Sequence, residues 1–486
     1  MNKSENIQKE NIIKAKFIII WHENQHKLLK NGYISFKDNE FTGYGNITAP
    51  ENHDNIVIDL GDSLITPGFI NLHCHPAAAP FEKSYREDCG NLNFYQSTLF
   101  DRAMVLKYSE EEAAEVARFS LNELLLSGCT TVVIPENIGN VVNIAGSLGF
   151  RAYIGAHYRS SISGIPWRTE DGHSIIYSLD DNMSQLQQAI DFIKKYNGSY
   201  EGRIHTLLAP TQTTTCTYNM LKETRKIADS LGVGITIHAA EDLNEFRECL
   251  KRYGKTPIQL LYDVGLLEPD VLLAHTLFLT GHSQTLYPGD EDIILLSESG
   301  ASIAHCPWVL LRKGTSFMES YPRYLKRGIN VGIGTDTFPF DFIQEMRYAA
   351  VMGKMMEHNT LVSTAGDVFN SATIRGAKAL NRADLGKIAP GSKADFVSFN
   401  LNSFEMTPIR DPLKNLIYSS TRHSIDQVYI DGKCLVKNGK VIGQDEKMLA
   451  ERVQKIVEKA WLNTNKYDWK NRNVDQISPL TFPTYK

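Results

Sequence analysis

No apolar stretch in this sequence approaches the ~20 residues that a helix needs to cross a bilayer. The opening Met-Asn-Lys-Ser-Glu-Asn-Ile-Gln-Lys-Glu is polar and lacks the apolar core of a secretory signal. Cysteine is scarce: there are seven, an odd number without regular spacing and without a Cys-x-x-Cys pair. That argues against both a disulfide framework and a thiolate zinc finger. Basic charge is not in excess either. Lys and Arg total 51 against 56 Asp and Glu, a net charge of -5, which argues against a nucleic-acid binder built on a basic surface. Internal repeats and low-complexity blocks are absent. A soluble, cytoplasmic protein with neither a nucleic-acid nor a membrane partner is the expectation. What is present, 42% hydrophobic and 22% charged residues in a chain of 486, suffices for a substantial core.

Patterning divides the chain. Phe17-Ile-Ile-Ile, Tyr33-Ile-Ser-Phe and Asn55-Ile-Val-Ile-Asp read as short strands near the N-terminus. After Pro67-Gly68 the pattern becomes strands alternating with helices. Ser109-Glu-Glu-Glu112 is a capping box that opens a helix ending before Gly128. Strands are expected at 130–134, 151–157, 203–209, 234–238, 271–275, 301–305 and 329–334, with helices at 183–196, 219–231 and 321–327. With the strand that ends at His73 this makes eight, and repeated βα units on that scale predict parallel strands closed into a barrel. Past Asn381 short strands return, including a hairpin around Asp431-Gly432. The expected organisation is a β-sandwich from 1–65 and 383–444, a barrel over 66–382, and a C-terminal helix and tail over 445–486. That tail could pack on a neighbouring subunit in a homo-oligomer.

Active sites of such barrels lie at the C-terminal ends of the strands, and chemistry-bearing residues gather there. His73 and His75 close the first strand and, two apart in extended chain, share a face. His238, His275 and His305 each end a later strand, and Asp336 follows the last. His73-x-His75 alone could be two unremarkable histidines; the later strand ends make a metal grip the better reading. Cys74, on the opposite face, reads as core. Three imidazoles and a carboxylate suit Zn²⁺ with one position open to water, and Fe²⁺ is the other metal these donors suit.

Over nearly its whole length the chain resembles the amidohydrolase superfamily. The resemblance rests on Thr66-Pro-Gly-Phe-Ile-Asn-Leu-His-Cys-His, His238-Ala-Ala-Glu241, Ala274-His275, Gly334-Thr-Asp336 and Pro390-Gly-Ser-Lys-Ala-Asp395. His-x-x-Glu after the fifth strand is similar to the mononuclear branch. That branch includes deaminases of guanine, cytosine, S-adenosylhomocysteine and related heterocycles, together with triazine hydrolases. No strand-end lysine stands where binuclear branches place a carboxylated one. The resemblance implies an α/β fold, a distorted (β/α)8 TIM barrel carrying a small β-sandwich formed by both termini.

It also implies roles. His73, His75, His238 and Asp336 would hold one divalent metal ion. Glu241 would move protons, on the same face as His238 if the chain turns helically there. His275 would hydrogen-bond the attacking water or polarise the substrate, and Asp336 would accept a proton as water attacks. For the small-molecule substrate the candidate contacts are Tyr85, Arg86, Gln212, His305 and Trp308, the last able to stack on a flat ring. Relatives commonly carry His-Asn-Pro-x-Ser-Asn after strand seven, where this chain has His305-Cys-Pro-Trp-Val-Leu-Leu-Arg-Lys-Gly314. The loop after Asp336 is also short. The expected reaction is hydrolytic deamination, or displacement of a similar substituent, on an N-heteroaromatic ring such as a purine, pterin or triazine. The alternative is hydrolysis of an amide, carbamate or urea bond by the same centre.

Overall fold

The computed structural model describes residues 10–46, 55–85, 105–161, 167–169, 174–314 and 319–485. The N-terminal strands are β1 (Asn11–His22), β2 (Gln25–Lys37), β3 (Glu40–Asn46), β4 (Ile56–Asp59) and β5 (Ser63–Pro67). Next come β6 (Phe69–Asn71), β7 (Cys129–Ile134), β8 (Arg151–Tyr158) and β9 (Ile204–Pro210). They are followed by β10 (Ile235–Ala239), β11 (Val271–His275), β12 (Ser302–His305) and β13 (Asn330–Ile333). The C-terminal strands are β14 (Phe396–Asn400), β15 (Ile425–Ile430), β16 (Lys433–Lys437) and β17 (Lys440–Val441).

Strands β6 to β13 pair in parallel in chain order. Every residue of β7, β11 and β12 is buried, as strands covered on both faces must be. The sheet closes on itself where Leu72 donates its N–H to the Ile333 carbonyl at 2.9 Å. All eight barrel strands stand where the periodicity places them, within two residues at most ends. The helices do too, at Ser184–Tyr196, Tyr218–Leu231 and Ser320–Lys326. Ser109 caps the helix Glu110–Leu126 as expected: its Oγ accepts the Glu112 N–H at 3.2 Å while Glu112 Oε2 accepts the Ser109 N–H at 2.8 Å.

The terminal strands join one nine-stranded sheet ordered β17-β16-β15-β14-β5-β1-β2-β3, with β4 beside β1. The expected sandwich takes this form because β5 pairs with both β1 and β14, fusing the two ends edge to edge. The sheet then folds over its own apolar face. Phe36 and Phe41 from one end meet Phe396 from the other, with ring centroids 5.7 and 5.9 Å apart. Asp431-Gly432 turns the β15–β16 hairpin with φ of 49° and 71°, the paired left-handed conformation that favours glycine.

Arg151 ties the barrel to this sheet. Its guanidinium, 2% exposed, donates to Asp395 at 3.0 and 3.2 Å and also to Asp431. Removing one partner of a buried ion pair costs about 3–5 kcal/mol, because the other charge stays desolvated. Arg151→Ala is therefore expected to lower the thermal midpoint by several degrees without altering metal content. A melting curve that overlays the wild type would show that the pair contributes nothing.

Candidate metal centre and active site

Barrel closure builds half of the site. Just past β6 and β13 the chain ends lace together: Asp336 N–H donates to the His73 carbonyl and His75 N–H to the Asp336 carbonyl, both at 2.8 Å. The buried Asn71 side chain locks this seam. Its Oδ1 accepts the N–H groups of His73 and Thr335 at 3.2 and 3.1 Å, and its Nδ2 donates to Thr335 Oγ1 at 2.8 Å. Gly334 permits the close approach, since a Cβ there would sit 2.9 Å from both Cys306 Sγ and His73 Cβ. The seam brings together residues more than 260 positions apart in sequence.

The donor atoms converge. His73 Nε2 and His75 Nε2 lie 3.1 Å apart, and His75 Nε2 and His238 Nε2 3.3 Å apart. Asp336 Oδ1 is 3.4 Å from Nε2 of both His73 and His75. Ligands about 2.0–2.1 Å from a tetrahedral Zn²⁺ are themselves about 3.3 Å apart. Two hydrogen bonds set the histidine tautomers. His75 Nδ1 donates to Glu136 Oε1 at 3.0 Å, and His238 Nδ1 donates to the Thr211 carbonyl at 3.0 Å. Because carboxylate and carbonyl oxygens only accept, both rings carry their proton on Nδ1 and turn an Nε2 lone pair toward the centre. Lone pairs facing each other at such distances repel unless a cation stands between them. The donor set thus fits one divalent metal ion.

Electrostatics agree with that reading. Burial lowers His73 to about 3 and His238 to about 4, which keeps both imidazoles neutral and able to ligate. Burial alone would raise the Asp336 carboxyl, yet the His73 hydrogen bond and the surrounding imidazoles hold it well below the usual carboxylate range. The same contest at Glu136 is won by His75, whose charge and hydrogen bond hold that carboxyl at about 2.

His275 sits beside the cluster, its ring centroid 5.0 Å from His73 and 5.6 Å from His238. It is 1% exposed, and neither ring nitrogen has a hydrogen-bond partner among the described residues. Leaving both groups unsatisfied in the interior is costly, so the ring is poised for a partner that the described residues do not supply. The backbone is strained at the same strand ends: Ala240, His275, Thr276 and Asp336 have φ of 52°, 75°, 49° and 57°. Non-glycine residues rarely adopt this region, and such outliers gather at functional sites.

Glu241 reaches the site differently from the helical geometry expected. Left-handed Ala240 turns the chain, and the helix Leu243–Tyr253 begins only after the cap Asp242. Gln212 Nε2 donates to Glu241 Oε2 at 3.4 Å, which joins two of the expected site residues. The Glu241 N–H donates to Glu245 Oε2 at 2.7 Å. Burial pushes that second carboxyl up to about 8.

The expected substrate contacts separate. His305 is buried, stacked on Tyr321 at 4.8 Å and 5°, with no partner for Nε2 among the described residues. Trp308 lies on a short helix, Pro307–Lys313, rather than in a loop. Tyr348 stacks on one face of its ring at 5.0 Å, and the Trp308 backbone N–H donates to Glu345. Tyr85 departs from the expectation: it is 1% exposed in an apolar cluster with Phe81, Val116 and the C-terminal helix. The reason is long-range packing, which local sequence does not carry. Arg86 lies outside the described residues.

Three supporting residues escaped the sequence reading. Asn71 stands inside the Phe-Ile-Asn-Leu-His-Cys-His motif, and Glu136 just past a strand end, where the barrel rule directs attention. Glu245 reads locally as an ordinary first-turn helix acid. Outer partners of metal-bound histidines typically contribute 10–100-fold in metal affinity. Glu136→Gln, which keeps an acceptor but loses the charge, should weaken metal binding roughly 10-fold, and Glu136→Ala up to about 100-fold. Competition with a graded chelator reads this out; unchanged affinity in both variants would remove Glu136 from the site.

Similarity to known proteins follows the geometry. The amidohydrolase family profile matches residues 64–435. A 5-methylthioadenosine/S-adenosylhomocysteine deaminase of Moorella thermoacetica is 31% identical over 408 residues, covering 83% of this chain and 89% of that protein. A zinc-bound adenosine deaminase of Xanthomonas campestris superposes with a TM-score of 0.81 at 22% identity, covering 93% of this chain and 98% of its own. An atrazine chlorohydrolase of Arthrobacter aurescens TC1 complexed with zinc superposes at 0.79 with 21% identity, covering 92% and 100%. At such identities the two structures speak for the fold alone, whereas the profile and the curated relative carry the family. The chain belongs to the amidohydrolase family and is a metal-dependent hydrolase of carbon–nitrogen bonds.

Proposed function

We propose that the protein hydrolytically deaminates an amino-substituted purine, with a 5′-modified adenosine as the first class to test, and that Zn²⁺ is its metal. The observation that carries this reading is that His75 Nε2 lies 3.1–3.4 Å from His73 Nε2, His238 Nε2 and Asp336 Oδ1, while Gln212 donates to Glu241 after the same strand end as His238. The curated relative and the zinc in both solved structures support it.

His73, His75, His238 and Asp336 would hold the metal, and a divalent ion there would lower the pKa of a bound water from 15.7 to about 7 and so supply the nucleophile at neutral pH. Glu241 takes a proton from the attacking water, passes it to the ring nitrogen beside the reacting carbon, and delivers the proton that lets ammonia depart. Asp336 accepts the second water proton as the water adds, and this is the proton that Glu241 relays to the departing amine. His275, with two unpartnered nitrogens, orients the water against that carbon. Gln212 fixes the Glu241 carboxylate, and the partly exposed Trp308 ring would offer a surface for the flat ring. The products balance as one carbonyl-bearing ring and one ammonia per water consumed.

The test is ammonia release from a panel of 5′-methylthioadenosine, S-adenosylhomocysteine, adenosine, guanine and an aminotriazine, with metal content measured on the same sample. Turnover of an adenosine and about one zinc per chain are expected. A fully metallated protein that releases no ammonia from any of them would sink the reading. The relatives favour ring deamination over amide, carbamate or urea cleavage. Product mass separates the two, since the latter splits the substrate into an acid and an amine.

A further inference from the structure

The helix Glu446–Leu462 lies far along the chain from every residue of the metal centre, yet it packs against the segment that leaves it. The His75 carbonyl accepts the N–H groups of Ala78 and Ala79 at 3.2 and 3.1 Å, and the chain then forms the short turn Ala79–Glu82. Trp461 Nε1 donates to the carbonyl of Phe81, inside that turn, at 2.9 Å. Leu449, Val453, Val457 and Ala460 make a stripe at helical spacing. They are buried in one cluster with Phe81 and Tyr85. Val105 and Leu106 enter the same cluster. Ion pairs Lys459–Glu112 and Arg452–Glu115 fasten its outer edge to the helix Glu110–Leu126. Lys83 completes the seat, with Nζ 2.9 Å from both Glu123 carboxylate oxygens.

We infer that this C-terminal helix is part of the construction of the active site, with Trp461 a positioning residue for the turn Ala79–Glu82 and the residues to Tyr85 that follow the proposed ligand His75. In barrel enzymes the segments following the strands form the walls of the substrate site, and here the first wall begins at a metal ligand. Its backbone is steadied from outside the barrel by one indole N–H and one apolar stripe. Tyr85 therefore acts as an anchor of that wall and not as a group presented to substrate. The inference rests on the barrel mouth being the active site and deepens that reading.

Trp461→Phe retains most of the ring but deletes the donor, so it isolates the hydrogen bond from the packing. Losing one such bond should speed amide hydrogen exchange in residues 79–85 about fivefold. Exchange in the barrel strands should stay unchanged. With the substrate identified by the ammonia assay, KM should rise about fivefold while kcat and zinc content stay within about twofold of wild type. Lys455→Ala, an exposed substitution on the same helix, should alter none of these. Exchange at 79–85 that matches wild type would overturn the inference. So would faster exchange accompanied by an unaltered KM. Hydrogen exchange needs no substrate, so failure of the deaminase reading and failure of this one are separable.

Discussion

Glu241→Gln is expected to leave the protein folded and fully metallated while its turnover falls by about 10²–10⁴, the range supplied by a positioned general acid–base. The substitution is nearly isosteric. The contacts that seat this residue survive it: the backbone N–H still donates to Glu245, and an amide oxygen can still accept from Gln212. None of the converging donor atoms belongs to Glu241, so the metal stays. What disappears is a group that can accept a proton in one step and release it in the next. Elemental analysis and kcat on one preparation check both halves. A variant that turns over at the wild-type rate would take the proton-shuttle role away from Glu241. A variant that loses its metal would place the residue among the ligands instead.

His73→Ala should give the opposite signature. The His73 Nε2 lies within 3.4 Å of both His75 Nε2 and Asp336 Oδ1, at the heart of the donor set. Its ring is wholly buried. Three donors would remain. Because loss of an outer partner alone costs 10–100-fold in affinity, loss of a ligand should exceed about 100-fold. Dialysis against a mild chelator followed by zinc determination reads the result, and activity should vanish in parallel. Full metal occupancy after that treatment would mean that His73 is not a ligand. Far-ultraviolet circular dichroism separates metal loss from unfolding. The main-chain seam through the His73 carbonyl persists in the alanine variant, so the fold should be retained.

The two substitutions are expected to separate what grips a metal from what moves protons, and the positions they probe were unevenly legible in the sequence. Strand ends were legible because each barrel strand is a short β-branched or apolar run between turn signals. The C-terminal end of such a strand is where this architecture exposes side chains to substrate. His73, His75, His238, His275 and Asp336 all stand at those ends. Glu241 was legible by its spacing from His238 but not by its backbone path. Left-handed Ala240, which replaces the expected helical turn, is set by the packing of β10 against its neighbours. Trp308 was visible as an oddity in the loop after strand seven. That Tyr348 already occupies one of its faces follows from how the helix Phe342–Met356 packs on the helix Pro307–Lys313. Tyr85 was misplaced for a similar reason. Beside a metal motif it reads as a pocket residue, and only the distant C-terminal helix reveals that it is buried.

The sequence by itself determined the barrel, the family and the identity of the groups that can ligate, because these depend on periodicity and on residue chemistry at strand ends. Only the tertiary structure decided which nitrogen of His75 and of His238 turns toward the centre of the donor cluster. An imidazole has two nitrogens, and the one offered to the centre is chosen by what the other one meets. For His75 that is Glu136, 61 positions away, and for His238 it is the Thr211 carbonyl, 27 positions away. Neither partner is implied by local pattern. Both are brought into place by strand register and by closure of the eight-stranded sheet at Asn71 and Thr335, contacts that exist only once the barrel has closed.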